Sequence, residues 1–375
     1  MAGIYLHIPF CKKACHYCNF HFSTSLTLKN DFTGALLREI ELQHNYLQGE
    51  VIETVYLGGG TPSLLERQEL ESIMHKLRQE FTIHPRAEFT LEANPDDISP
   101  EKLAAWKEAG INRLSIGIQS FFEEDLQWMN RAHDARQAEE SIRLAQAAGF
   151  HNLTIDLIYG TPGLTDERWQ KNVQTALALD VPHLSCYALT VEPGTALQKM
   201  IAVHKKEAVE EDKQARHFIL LMQWLGEAGY EHYEISNFAK PGFRSRHNTS
   251  YWQGKSYLGL GPSAHSFNGS ARQWNIANNA LYIQSLRQDK VPLEEEQLSA
   301  AQRLNEYIMI SLRTIEGIDL DRLQQQFGEA AHHSVMASLQ PYLLNNQCRV
   351  TDRKIVLTSE GKLFADGIAA SLFVE

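Results

Sequence analysis

The chain has 375 residues, enough for one large domain with an appendage or for two domains of ordinary size. Its 35 Lys plus Arg against 46 Asp plus Glu give a net charge of −11, the wrong sign for gathering phosphate backbones, which argues against nucleic acid as a partner. Hydrophobic residues at 43% and charged residues at 22% fit an ordinary folded chain, and no apolar run approaches the ~20 residues that an integral membrane segment requires.

The N-terminus runs directly into Ile4–Ile8 without a basic leader, a long apolar region or a small-residue cleavage site, so a cytosolic, cytoplasmic location is expected. Of the five cysteines, three are crowded into positions 11 to 18, which speaks against a secreted disulfide framework. Cys186 and Cys348 stand alone and read as small buried hydrophobes.

Short β-rich runs then alternate with helical patterns. Strands are predicted at Ile4–Ile8, Thr54–Leu57, Glu88–Glu92, Arg113–Ile118, Asn152–Leu157 and His183–Ala188. Helices are predicted between them, among them Asp31–Leu47 and Arg136–Ala148, and Ser99-Pro100-Glu101 reads as an N-cap followed by proline at the first helical position. Ala109-Gly110-Ile111-Asn112-Arg113-Leu114-Ser115-Ile116 resembles Ala148-Gly149-Phe150-His151-Asn152-Leu153-Thr154-Ile155, a weak repeat in which each glycine suits a helix C′ position. Repeated strand–helix units of this kind point to an α/β fold, a full or partial (β/α)6-type barrel, with an open doubly wound sheet as the alternative. Ser236 to Ser270 reads as a long, mostly irregular segment rich in Gly and Ser. Helical pattern returns at Asn305–Arg313 and Leu320–Phe327, and Cys348–Thr351 with Lys354–Thr358 reads as a hairpin. The expected organisation is a barrel over residues 1–235, a connecting segment over 236–298, and a small C-terminal helical or winged domain over 299–375.

Cys11, Cys15 and Cys18 follow the first strand directly, which places three thiols at the C-terminal mouth where barrel sites are built. Three thiolates can hold a cubane cluster with one iron left open, or zinc with His16 or His21 as a fourth ligand. Gly58-Gly59-Gly60-Thr61-Pro62 ends the second strand and suits either close approach of a ligand or a tight strand-to-helix turn; no Lys-Ser or Lys-Thr follows, so it is not a P-loop. Glu92, Gln119 and Asp156 fall at or near later strand ends, and Arg131 follows the fourth strand. Carboxylates suit ribose hydroxyls and an arginine suits a carboxylate, so together these residues fit a nucleoside that bears an amino-acid tail. His247-Asn248-Thr249-Ser250-Tyr251-Trp252 combines an imidazole able to ligate iron with aromatic surface able to cover a flat macrocycle, although a lone histidine beside aromatics is more often structural.

Cys-x₃-Cys-x-Tyr-Cys, Gly-Gly-Gly-Thr-Pro, and the positions of Glu92, Gln119, Arg131 and Asp156 resemble radical SAM proteins of the oxygen-independent coproporphyrinogen III oxidase group, over nearly the whole chain. Within that group the sequence looks most like the HemW haem chaperones, because Asn19-Phe20 follows the third cysteine and His247-Asn248-x-x-Tyr251-Trp252 matches their HNxxYW motif. The oxidases of this group have a further cysteine where this chain has Phe20. The resemblance implies a radical SAM barrel in which Cys11, Cys15 and Cys18 hold a [4Fe–4S] cluster and Tyr5, Tyr17, Gly59, Gly60, Thr61, Glu92, Gln119, Arg131 and Asp156 approach S-adenosylmethionine. It also implies haem as a ligand with His247 as a contact, haem-accepting proteins and an electron donor as partners, and haem delivery as the function. The alternative is the oxidase itself, a radical oxidative decarboxylation in porphyrin biosynthesis.

Overall fold

The computed structural model describes residues 2–374. Six parallel strands follow one another in space as in sequence: β1 (Ala2–Ile8), β2 (Ile52–Gly59), β3 (Ile83–Ala93), β4 (Arg113–Gln119), β5 (Leu153–Tyr159) and β6 (His183–Ala188). The helices between them, such as Lys29–Leu42, Arg67–Glu80 and Ala135–Ala147, pack on one side of this sheet.

Along each strand alternate residues divide the work. On β4 and β5, Leu114, Ile116, Ile118, Leu153, Ile155 and Leu157 are fully buried in the core shared with the helices. The positions between them, Arg113, Ser115, Gln119, Thr154 and Asp156, project to the other face of the sheet. On β2 and β3 the corresponding residues are Thr54, Tyr56, Glu88, Thr90 and Glu92, so the concave face is polar where an ordinary barrel interior is filled with branched hydrophobes.

The sheet extends beyond the six strands at both edges without closing. β7 (Glu231–Glu234) and β8 (Asn237–Ala239) form a hairpin whose second strand lies antiparallel to β6. At the other edge β9 (Tyr257–Leu260) runs parallel to β1, followed by β10 (His265–Phe267), β11 (Ala271–Asn275) and β12 (Leu293–Gln297), all antiparallel to their neighbours. The result is a twelve-stranded, mostly parallel sheet with β12 and β7 at opposite ends, a partial barrel.

Residues 236–270 are about half irregular, with short regular elements set between the loops. They carry β8, the helix Arg246–Trp252, β9 and β10. These elements are too short to show a period, and β9 is buried rather than alternating. Gly259, one of the glycines of this segment, is a packing requirement: a Cβ there would lie 2.0 Å from the His265 carbonyl oxygen.

A second hydrophobic core joins the helix Ala300–Leu312, the helical stretch Leu320–Leu344, and a three-stranded sheet of β13 (Ile318–Asp319), β14 (Cys348–Thr351) and β15 (Lys354–Leu357). The predicted hairpin is present, closed by Asp352 and Arg353 with φ of 49° and 57°, the signature of a type I′ turn. The helix expected to end at Phe327 does break there, because Gly328 takes φ 88° and ψ 171°, and helix resumes beyond it. Ile235 packs against both cores, and Arg313 donates to Glu234 at 3.0 Å, tying the second unit to the barrel.

Candidate functional site

The cysteine loop leaves the C-terminal end of β1 and folds over the mouth of the barrel. Thr61, just past β2, donates to Cys11 Sγ at 3.4 Å, and Arg131 Nη1 donates to Cys15 Sγ at 3.2 Å. Burial pushes the Cys11 thiol up to about 11 and raises that of Cys18, with the neighbouring thiols adding to the effect. Only a bound metal centre, or a strong cation, would hold such sulfurs as thiolates at neutral pH.

The spacing of the sulfurs suits a larger cluster better than zinc. Four-coordinate zinc with bonds of ~2.3 Å brings its sulfurs to about 3.8 Å from one another. Here the three sulfurs do not all lie within 4.8 Å of one another. Of the two histidines that could complete a zinc site, His16 pairs Nδ1 with the Trp128 carbonyl at 3.1 Å and His21 pairs Nε2 with Asn279 Oδ1 at 2.7 Å, which leaves one ring nitrogen of each without a hydrogen-bond partner among the described residues. The donor set suits a cubane held at three corners.

Around the sulfurs the strand ends supply a polar rim. Arg131 Nη2 donates to Asn94 Oδ1 and to the Gly117 carbonyl, each at 2.8 Å, and Tyr17 OH lies 3.5 Å from Nη1. Its Nε is buried with no partner among the described residues, a donor waiting for an acceptor. Gln119, at the end of β4, is held at φ 66°, a left-handed conformation that a non-glycine residue adopts only when its surroundings require it. A Cβ on Gly117 would come within 3.1 Å of both Arg131 Nη2 and Gln119 Nε2, so these two side chains share one corner of the mouth.

On the other side Glu92 accepts from Tyr56 OH at 2.7 Å and from the Gly59 N–H at 3.2 Å. Burial raises its carboxyl to about 7, with the charge of Asp156 contributing. Asp156, opposite Ser185 across β5 and β6, is raised by burial to about 6 although Ser185, Arg113 and Arg131 pull it back. Tyr5 OH donates to or accepts from His7 Nδ1 at 3.1 Å, and its ring stacks on Tyr56 with centroids 6.1 Å apart.

The glycines serve the protein's own packing. A Cβ on Gly59, at φ 103°, would lie 2.6 Å from His7 Nδ1, and one on Gly60 would lie 2.7 Å from the Phe10 carbonyl oxygen. Their lack of side chains lets β2 and the cysteine loop approach each other.

His247 sits apart from the sulfurs, 1% exposed, on the helix Arg246–Trp252. Nδ1 pairs with Thr54 Oγ1 and Nε2 with Tyr251 OH, both at 2.8 Å, and burial lowers its pKa to about 3. The imidazole is neutral and both nitrogens are committed within the protein.

One cavity of about 1680 Å³ runs from the Tyr5, Tyr56 and Glu92 side of the mouth past His247. It takes in Tyr5, Tyr56, Glu92, Phe20 and His247 on the barrel side and Leu304, Tyr307 and Phe327 on the C-terminal side. That exceeds the ~300–1,000 Å³ of an ordinary small-molecule site. Phe20, 66% exposed, stands at its edge beside the cysteine loop.

Sequence reasoning did not single out Thr54, Tyr56, Glu88 or Asn94. The signal that would have found them is the alternation itself: on β2 and β3 Thr54, Tyr56 and Glu88 share the concave-face positions with Gly58 and Glu92, and Asn94 directly follows β3.

Comparison with known proteins gives the family. Residues 5–176 match the model of the radical SAM superfamily, and residues 298–364 match that of the HemN C-terminal domain. Heme chaperone HemW of Mycobacterium tuberculosis (strain ATCC 25618 / H37Rv) is 36% identical over 375 residues, covering 99% of this chain and 94% of that protein. The chain belongs to the HemW family of radical SAM proteins. Heme chaperone HemW of Bacillus subtilis (strain 168) is 31% identical over 381 residues and covers all of both chains. Among solved structures, the coproporphyrinogen III oxidase HemN from Escherichia coli, a radical SAM enzyme, superposes with a TM-score of 0.87 over 100% of this chain and 90% of that one, at 24% identity. At that identity the likeness establishes the shared fold. Membership of the family implies a [4Fe–4S] cluster and S-adenosylmethionine, and none of the described helices is long and apolar enough to cross a membrane.

Proposed function

We propose that this protein is a haem-carrying chaperone that binds haem beside a [4Fe–4S] cluster with S-adenosylmethionine and passes the haem to acceptor proteins in the cytoplasm. The observation that carries this reading is the cavity of about 1680 Å³, which continues from Glu92 and Tyr5 at the barrel mouth to an apolar wall of the C-terminal unit. It is large enough for a flat macrocycle next to a nucleoside.

In this reading Cys11, Cys15 and Cys18 hold the cluster, and Thr61 and Arg131 stabilise the charge on its sulfurs through their hydrogen bonds to Cys11 and Cys15. When bound, the cluster and S-adenosylmethionine supply one-electron chemistry at a sulfonium. The unpartnered Arg131 Nε faces a carboxylate, Glu92 and Asp156 accept from ribose hydroxyls, and Tyr5, Tyr17, Gln119 and the Gly59–Thr61 turn border the same ligand. Tyr251 and Trp252 line the cavity beside His247 and offer aromatic surface to the macrocycle.

The test is anaerobic reconstitution of the full chain, followed on one sample by spectroscopy of the cluster, a haem titration, transfer of the bound haem to an apo-acceptor, and an assay for protoporphyrinogen IX from coproporphyrinogen III. The expected result is stoichiometric haem uptake and transfer with no porphyrinogen product. Product formation with the cluster intact would establish the oxidase instead, and failure to bind haem would remove the carrier reading.

A further inference from the structure

A carrier must hold its haem iron by a group that the acceptor can displace, and the buried histidines of the cavity do not fit that requirement. His247 has both ring nitrogens engaged, and His7 pairs Nδ1 with Tyr5 OH and Nε2 with the His21 carbonyl. Replacing either nitrogen's partner with iron would strand a buried hydroxyl or carbonyl.

His265 differs in each respect. It lies on β10, is exposed, and lines the same cavity. Neither of its ring nitrogens has a hydrogen-bond partner among the described residues, while its ring stacks on Trp274 at 6.1 Å and 30°. Burial on one side and the nearby Arg272 lower its pKa, which keeps the ring neutral and a lone pair available at neutral pH.

The strand pairing places the rest of a macrocycle site around it. Across the β10–β11 ladder His265 opposes Trp274 and Phe267 opposes Arg272, so all four side chains share one face. Phe267 also pairs with Tyr257 on β9, whose ring meets Tyr251 edge-on at 4.5 Å. Tyr251, Tyr257 and Phe267 thus make a continuous aromatic wall from His247 to His265. Arg272 is ion-paired with Glu306 on the facing helix Ala300–Leu312, and Arg303 lines the cavity one turn earlier on that helix. Two guanidinium groups at the edge of an aromatic slot match the carboxylates that a haem carries on one edge.

We propose that His265 is the displaceable axial ligand of the haem iron, with the macrocycle lying on the Tyr257–Phe267 wall and its carboxylates meeting Arg272 and Arg303. The assignment rests on the haem-carrying reading above. It gives two histidines of the cavity separate tasks: His247 positions the aromatic wall from within, and His265 meets the iron at the surface, where an incoming protein ligand can replace it.

The test is titration of ferric haem into the reconstituted full chain, read by the Soret band and by electron paramagnetic resonance, for wild type, His265→Ala, His265→Met and the remote exposed His151→Ala. Expected are an imidazole-ligated spectrum in wild type and His151→Ala, its loss in His265→Ala with affinity reduced at least about tenfold, recovery of the spectrum on adding free imidazole, and a shifted thioether-type spectrum in His265→Met. Wild type that binds haem while His265→Ala keeps the same spectrum and affinity would overturn the ligand assignment alone. Wild type that takes up no haem would overturn the carrier reading and this assignment with it. The methionine variant, which keeps a ligand and the side-chain bulk, separates loss of coordination from loss of fold.

Discussion

Glu88 caps the helix that carries His247. Its Oε1 accepts the backbone N–H of His247 at 3.0 Å and its Oε2 that of Arg246 at 3.2 Å, so a strand carboxylate satisfies two orphan donors and meets the positive end of the helix. The same carboxylate lies 4.0 Å from the Arg113 guanidinium, and both side chains are almost wholly buried. Glu88→Ala removes the cap and leaves a buried cation unpaired, and should destabilise the chain by about 3–5 kcal/mol in denaturant unfolding. Glu88→Gln, which keeps one acceptor, should lose less. A loss under about 1 kcal/mol for the alanine variant would mean that packing alone holds the helix.

His247 is also fixed from its other side by Thr54 on β2. Thr54→Val keeps the shape but leaves Nδ1 without a partner in a buried site, at about 1–3 kcal/mol, whereas Thr54→Ser keeps the hydroxyl and should remain near wild type. The check is the difference in unfolding midpoint between the two variants. Equal destabilisation by both would assign the effect to the lost methyl group.

The Glu92 carboxyl gives a pH signature with a definite sign. Its folded pKa, about 7, is raised above the ordinary value near 4.5 by burial first and by Asp156 second. The folded state therefore binds the proton more tightly, so this stabilising contribution is fully present below about pH 4.5 and is lost as pH rises through about 7. Neutral buried histidines, His247 at about 3 and His7 at about 4, work in the opposite direction, because their contribution is present above pH 6.5 and is lost in acid. The two effects overlap, so the measurement is the stability of wild type minus that of Glu92→Gln. That difference should fall by up to about 1.4 kcal/mol per pH unit between pH 5 and 7 and then level off. A flat difference across that range would show that Glu92 ionises normally in the fold.

The six parallel strands were legible in the sequence because buried strands between helices read as compact β-branched runs, and the cysteine loop was legible because it directly follows the first of them. The edge strands β9 to β12 were not, since their order is set by pairing with distant β1 and by the close approach at Gly259, neither of which leaves a period in the chain. Glu92, Gln119 and Asp156 stood out as polar residues at or near strand ends, and Arg131 as a cation that follows the fourth strand. Thr54, Tyr56 and Glu88 share their alternation but lie deeper along the strands, where a polar residue next to hydrophobic ones reads as noise until the concave face is seen. The apolar wall at Leu304, Tyr307 and Phe327 depends on how the second core docks, which no local pattern encodes.

Arg131 is where sulfur chemistry and ligand recognition meet. Its Nη1 reaches Cys15 Sγ, its Nη2 is held by Asn94 and Gly117, and its Nε is buried without a partner. Lysine at this position retains a charge near Cys15 but has a single nitrogen, which cannot serve three directions together. In Arg131→Lys the reconstituted chain should therefore keep its iron and sulfide content while its affinity for S-adenosylmethionine drops about tenfold, about 1.4 kcal/mol. Iron analysis together with equilibrium binding of S-adenosylmethionine separates the two roles. Loss of iron with residual affinity unchanged per cluster would show that the bond to Cys15 is the dominant task of this side chain, and that the free Nε plays no part in holding the ligand.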